Sequence, residues 1–192
     1  MRGRALSAGL FPDLSVPVPS QPGEGPAGSL WRNQLNVIRL GFGCDLPGVP
    51  TPGQVTISEI TDGGGGACAY GPDLSGSFTF SIENTGAGFP RILKMQSTGG
   101  VLTHRKWYAV RNTGGWSGVA NFEAQYVVQV GDANNDLRVL FNDLGVINGS
   151  IPCFADCDER LDIDGDGRIL FNDLGVANGS VPSFPVDKPC GN

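Results

Sequence analysis

Between residues 30 and 130 the apolar positions recur every second residue. Phe78, Phe80 and Ile82 alternate with Ser77, Thr79 and Ser81, and Phe122, Ala124, Tyr126 and Val128 alternate with Glu123, Gln125 and Gln129. A period of two sends successive side chains to opposite faces of an extended strand, so each run makes one apolar and one polar face. Six such runs, 35–42, 55–60, 77–83, 91–96, 106–111 and 122–130, are separated by Gly- and Pro-rich turns and predict a β-sandwich over 30–130. Residues 1–29 are expected to be a flexible linker, because 11–29 is dense in Pro, Gly and Ser.

At residue 131 the alternation stops and a repeat begins. The segment 132–152 returns at 162–182 without a gap, with 14 of 21 positions identical. Oxygen-bearing side chains recur at fixed places: Asp132, Asn134, Asp136 and Asp143 in the first copy, Asp162, Asp164, Asp166 and Asp173 in the second. These are positions 1, 3, 5 and 12 of a calcium loop. A hard dication takes about 6–8 oxygens at roughly 2.3–2.6 Å, so the chain must curl round it with oxygens on alternate residues and close the shell from further on. Position 7 supplies a backbone carbonyl, which lets Arg138 and Arg168 stand there with their side chains outward. After each loop the pattern predicts a helix of about eight residues ending at an Asn-Gly cap of the left-handed kind. Phe141, Leu144, Phe171 and Leu174 are expected to pack together, and Val139 and Ile169, at position 8, to pair across the two loops.

Paired D-x-[ND]-x-D-x-x-[VI]-x-x-x-D loops, each running into a single short helix, resemble a dockerin module. The resemblance covers 131–182. It implies two bound Ca²⁺ ions, secretion by a bacterium, and docking onto a cohesin-type partner in polysaccharide breakdown or cell-surface assembly. The expected fold is therefore mainly β: an immunoglobulin-like sandwich, then a small α-helical dockerin module of two EF-hand-like calcium loops, and a tail over 183–192. The family contacts its partner through positions 10 and 11, here Phe141, Asn142, Phe171 and Asn172. The phenylalanines are read as core ahead of partner contact.

Some residues depart from the family pattern. Position 9, often a polar ligand, is Leu140 in one copy and Leu170 in the other, and position 6, where glycine makes the sharp turn, is Gly167 in the second loop but Leu137 in the first. A left-handed backbone at Leu137 would cost roughly 1–2 kcal/mol. The first loop also has three carboxylates against four, so the second site is expected to bind more tightly.

Charge supports the loop reading. Residues 131–192 carry eleven acids against four Lys or Arg, whereas 1–130 carry eight against nine. Seven of those eleven acids lie on ligand positions. No basic stripe suggests nucleic acid, and no apolar run reaches the roughly 18 residues of a membrane span.

The five cysteines suit an oxidising compartment. Cys44 with Cys68, and Cys190 with Cys153 or Cys157, are the expected pairs. Residues 1–11 have two arginines but no apolar stretch of a signal peptide, so a truncated start to an exported chain is expected.

Outside the repeats the chemistry is sparse. His104 is the only histidine and has no motif around it, and Asp45, Glu59, Asp62, Asp73, Glu83 and Glu123 show no spacing that marks a catalytic pair. Trp107, Tyr108 and Trp116 could stack on a polysaccharide, but a buried role in the sandwich is favoured, with Trp107 and Tyr108 on opposite faces of one strand. Asn148 and Asn178 match glycosylation sequons, although a helix-cap role is favoured. The sequence thus points to a secreted, non-catalytic, calcium-dependent docking protein. The alternatives are a structural surface protein stiffened by calcium, or the C-terminal part of a carbohydrate-active enzyme.

Overall fold

The computed structural model describes residues 27–30, 37–42, 45–84, 90–97, 100–134, 136, 138–158, 161–164, 166–184, 186, 187, 189 and 190. Among the described residues eight strands form two sheets. They are β1 (Ala27–Leu30), β2 (Val37–Gly41), β3 (Thr56–Asp62), β4 (Cys68–Tyr70), β5 (Phe78–Asn84), β6 (Pro90–Ser97), β7 (Trp107–Asn112) and β8 (Phe122–Val128). The order is β1-β8-β7-β3-β4 in the larger sheet and β2-β6-β5 in the smaller. All six runs picked out by alternation are strands. The two that alternation missed, β1 and β4, sit at the edges of the larger sheet and have four and three residues.

The faces follow the period of two. Ile38 and Leu40 lie opposite Met95 and Leu93, and Ile57 lies opposite Val110, all buried. Phe42 meets Trp116 and Phe122 edge-on, with ring centres 5.8 and 5.5 Å apart. Trp107 and Tyr108 do face opposite ways: Tyr108 stacks on Tyr126 in the main core, whereas Trp107 packs with Ile60, Ala109, Val127 and Cys190. Both, with Trp116, are buried, so the structural role holds.

The mainly β expectation fits, but the expected α-helical dockerin module does not. Among the described residues there are only two α-helices, α1 (Phe141–Asn148) and α2 (Phe171–Asn178), of eight residues each. The other described residues of the repeats are loop, turn and single bridges. Nor do the repeats form a core of their own. Ala133, Ile147, Leu161, Ile163, Ile169 and Ala177 belong to the same apolar cluster as Ile38, Leu93 and Tyr126. Helices this short are marginal in isolation, so the repeats take their order from the β layer. No helix among the described residues is long and apolar enough to cross a membrane.

Three local expectations are also corrected. Val139 and Ile169 do not pair with each other: Val139 bridges Ser183, and Ile169 bridges Cys153. Each loop takes its ladder partner from the segment after the other repeat's helix, so the two copies are reciprocally laced. The helix ends are not left-handed either, since Gly149 and Gly179 have φ of −66° and −63°. A Cβ on Gly149 would approach the Gly145 carbonyl to 3.3 Å, so glycine is favoured there by crowding rather than by φ. The disulfides are Cys68–Cys190 and Cys153–Cys157. Cys44, expected to pair with Cys68, lies outside the described residues, as does Leu137.

Gly145 and Gly175 are mid-helix, and a Cβ at either would meet nothing within 4 Å. Gly145→Ala and Gly175→Ala should each stabilise the chain by up to about 1 kcal/mol, read as a rise in thermal midpoint.

Candidate functional site

Each repeat folds its loop around its own aspartates. In the first, Asp143 Oδ1 accepts the Ala133 and Asn134 amides (2.9 and 3.2 Å), and its Oδ2 accepts the Leu140 amide at 2.9 Å. In the second, Asp173 takes the matching amides of Ile163, Asp164 and Leu170 at 2.6, 3.2 and 2.8 Å. Asp132 and Asp162 accept the amides of Asp136 and Asp166 at 3.1 and 3.0 Å. The position-5 carboxylates accept the Arg138 and Arg168 amides, both at 2.9 Å. The repeated sequence therefore produces a repeated hydrogen-bond pattern, with positions 1 and 12 buried and positions 3, 5 and 7 exposed. Gly167 at position 6 has φ +87°, and its amide donates to Asp162 Oδ2 at 2.8 Å.

The second loop gathers its charges most closely. Carboxylate oxygens of Asp162, Asp164 and Asp166 lie within 4.8 Å of one another, and the three could hold one metal ion. Two oxygens bound to one Ca²⁺ at roughly 2.3–2.6 Å can be no more than about 5 Å apart, so spacing and all-oxygen chemistry suit such an ion. Partial desolvation, and next the nearby Asp173 carboxylate, raise the Asp164 carboxyl above its ordinary value although the group is largely exposed and Asn172 Nδ2 and the Asp166 amide hydrogen-bond to it. The first loop has Asn134 in the place of Asp164, and Asn134 Nδ2 donates to Asp136 instead.

Beside the loops, α1 and α2 touch and enclose a groove of about 480 Å³ lined by Leu144, Gly145, Asn148, Phe171, Leu174, Gly175 and Asn178. Asn148 and Asn178 line it from the helix ends, where the Gly149 and Gly179 amides donate to the Gly145 and Gly175 carbonyls at 3.0 and 3.1 Å. Phe141 and Phe171 were expected from sequence to be core and are instead 76 % and 72 % exposed. Their side chains occupy the first helical turn, whose inward face is taken by Asp143 and Asp173. Phe154 and Phe184, equivalent in the two repeats, are exposed as well. Spacing along the helix did not give this, because Phe141 and Leu144, like Phe171 and Leu174, are three residues apart and lie on neighbouring positions of one helix face.

In the β layer six described carboxylates have partners of their own. Glu59 meets Lys106, Asp45 meets Arg91, and Glu83 meets Arg39 and Lys94. Asp62 and Asp73 cap backbone amides, and Glu123 takes the Tyr70 hydroxyl at 2.8 Å and the Gln125 amide.

His104 lies at the junction of β layer and repeats. Its Nδ1 accepts the Val130 amide at 3.0 Å, so the ring proton is on Nε2, which faces Ser183 Oγ at 3.3 Å, and that hydroxyl donates to Gln129 Oε1 at 3.1 Å. This polarity leaves Ser183 without a base. Burial, then the Arg105 charge, lowers the His104 pKa from 6.5. The unfolded chain therefore takes up the proton first, so the contribution is complete above about pH 6.5 and is lost as pH falls through the lower folded value. Stability should be flat from pH 8 to 7 and begin to drop as pH falls below about 6.5 in denaturant titrations, and His104→Gln should flatten that step.

The class defined here is a mainly β chain bearing two duplicated acidic loops laced to its core. No family model, no curated protein and no solved structure matches it, so the resemblance to dockerins rests on the residues of the repeat.

Proposed function

We propose that this is a secreted, non-catalytic protein whose duplicated loops bind two Ca²⁺ ions and whose paired helices dock onto a cohesin-type partner, in polysaccharide breakdown or surface assembly. The observation that carries the reading is the coincidence of two features in each repeat. An oxygen-rich loop with buried Asp132 and Asp143, or Asp162 and Asp173, runs directly into a helix whose first residue, Phe141 or Phe171, faces solvent. Asn134, Asp136 and the Arg138 carbonyl, and likewise Asp164, Asp166 and the Arg168 carbonyl, complete the ligand sets. The exposed surface of α1 and α2 carries Phe, Val, Asn and Gly but no charge, and large apolar groups exposed together mark association sites more often than solvated faces.

Calorimetric titration of the full chain with Ca²⁺ should show two ions, the tighter lost in Asp162→Ala and the weaker in Asp132→Ala. Capture on immobilised cohesins should require calcium and disappear with chelator. Phe141→Ser with Phe171→Ser should abolish capture while leaving the unfolding midpoint within a degree or two. No calcium uptake up to millimolar would end the reading. Calcium uptake without capture would favour the second reading, a structural protein whose ions only stiffen the fold. Asp143 and Asp173 favour that alternative, since their oxygens already hold three backbone amides each.

A further inference from the structure

After the second repeat the chain crosses the outer face of the larger sheet in strand order. Ser183 pairs with Val139 through two backbone hydrogen bonds of 2.8 and 3.0 Å. The next carbonyl, Phe184, accepts Gln129 Nε2 at 3.1 Å just beyond β8, and the Val186 carbonyl accepts Trp107 Nε1 at 3.0 Å on β7. Val186 and Cys190 then pack on Ile60 of β3 and on Trp107, Ala109 and Val127, before Cys190 bonds to Cys68 on β4. The far end is held covalently, and Ser183, Phe184 and Val186 by these hydrogen bonds and the packing of the Val186 side chain.

We propose that the segment from Ser183 to Cys190 is a clasp that locks the repeats onto the β layer, and that reduction of Cys68–Cys190 by a dithiol opens it. Cys190 is 3 % exposed, while Cys68 is half-buried, so the attacking thiolate reaches the Cys68 sulfur and Cys190 leaves as thiolate. The second thiol of the reductant then displaces Cys68. The dithiol becomes a cyclic disulfide, its two electrons pass to the protein, and both cysteines end as thiols. Opening uncovers the strip formed by Ile60, Trp107 and Val127. It also has an asymmetric consequence. Ser183 is the ladder partner of the first loop, so that loop loosens, whereas the second loop keeps its partner, Cys153. The clasp does not depend on what fills the loops.

The test is hydrogen exchange of the full-length folded chain, oxidised and after dithiothreitol, followed by mass spectrometry. Protection at the Val139 and Ser183 amides should fall at least tenfold on reduction and remain at Ile169 and Cys153. Cys157→Ala, which opens only the other disulfide, should leave Val139 and Ser183 protected while oxidised. Trp107→Phe, which removes the indole donor but keeps the disulfide, should speed reduction of Cys68–Cys190 several-fold. Unchanged exchange at Ser183 after complete reduction, or equal loss at Ile169, would overturn the proposal. Calcium titration of the oxidised chain tests the calcium reading separately, so the two can fail independently.

Discussion

Replacing Cys190 by Ser should destabilise the chain by about 4–5 kcal/mol, the largest single effect expected here. Cys68 and Cys190 are 122 residues apart, and cross-linking a loop that long removes much of the freedom of the unfolded chain. Cys153 and Cys157 are four residues apart, so the same chain-entropy reasoning gives only about 2 kcal/mol for their bond. Guanidinium unfolding of Cys190→Ser and Cys157→Ala, side by side, should separate the two variants by roughly 2–3 kcal/mol. Equal losses would mean that the tail stays in place without its covalent anchor. The comparison is sharpened by burial, because Cys190 also fills space against Trp107 and Val127, whereas the shorter bridge lies in a half-exposed turn.

Asp173→Ala comes second. Its carboxylate takes three backbone amides, two of them across the loop from Ile163 and Asp164 and one at the start of α2 from Leu170. A buried amide without a partner costs about 1–3 kcal/mol. Water reaches the exposed side of the loop, so the total expected is about 3–4 kcal/mol rather than the full sum. Removing the charge also relieves Asp164, which offsets part of the loss. Asp173→Asn should lose roughly half as much, for the amide keeps one acceptor oxygen in place of two. Asp143→Ala should match Asp173→Ala in the absence of calcium, since the hydrogen-bond pattern is the same. With millimolar calcium present, both Ala variants should also lose the uptake of one ion if the loops bind as proposed. Chemical denaturation with and without chelator reads out both effects, and an Asp173→Ala variant as stable as the parent would show that the loop closes by other means.

These two residues illustrate different ranges of interaction. Asp173 acts within eleven residues of its own partners, and its place was visible from the spacing of oxygen-bearing side chains alone. Cys190 acts across most of the chain, and no local pattern distinguishes Cys68 from Cys153 as its mate. The same contrast runs through the fold. Strands β2, β3 and β5 to β8 were legible because successive side chains of a strand point to opposite faces, which imposes a period of two on its own residues even where, as in β8, both faces are buried. Strands β1 and β4 were not, since three or four residues carry too little period, and their extended form depends on the neighbours β8 and β3 that they pair with.

The sequence by itself determined the strand-forming runs, the duplication, the ligand-type residues at positions 1, 3, 5, 7 and 12, and the length of α1 and α2, because each of these is set by interactions a few residues apart. Only the tertiary structure decided that the repeats share a core with the β layer instead of forming a helical module, and that Val139 and Ile169 take their partners from the opposite repeat. It also decided that Phe141 and Phe171 face solvent and that the tail closes over Trp107. These outcomes depend on which surfaces meet when the whole chain packs, and apolar burial is indifferent to distance along the sequence.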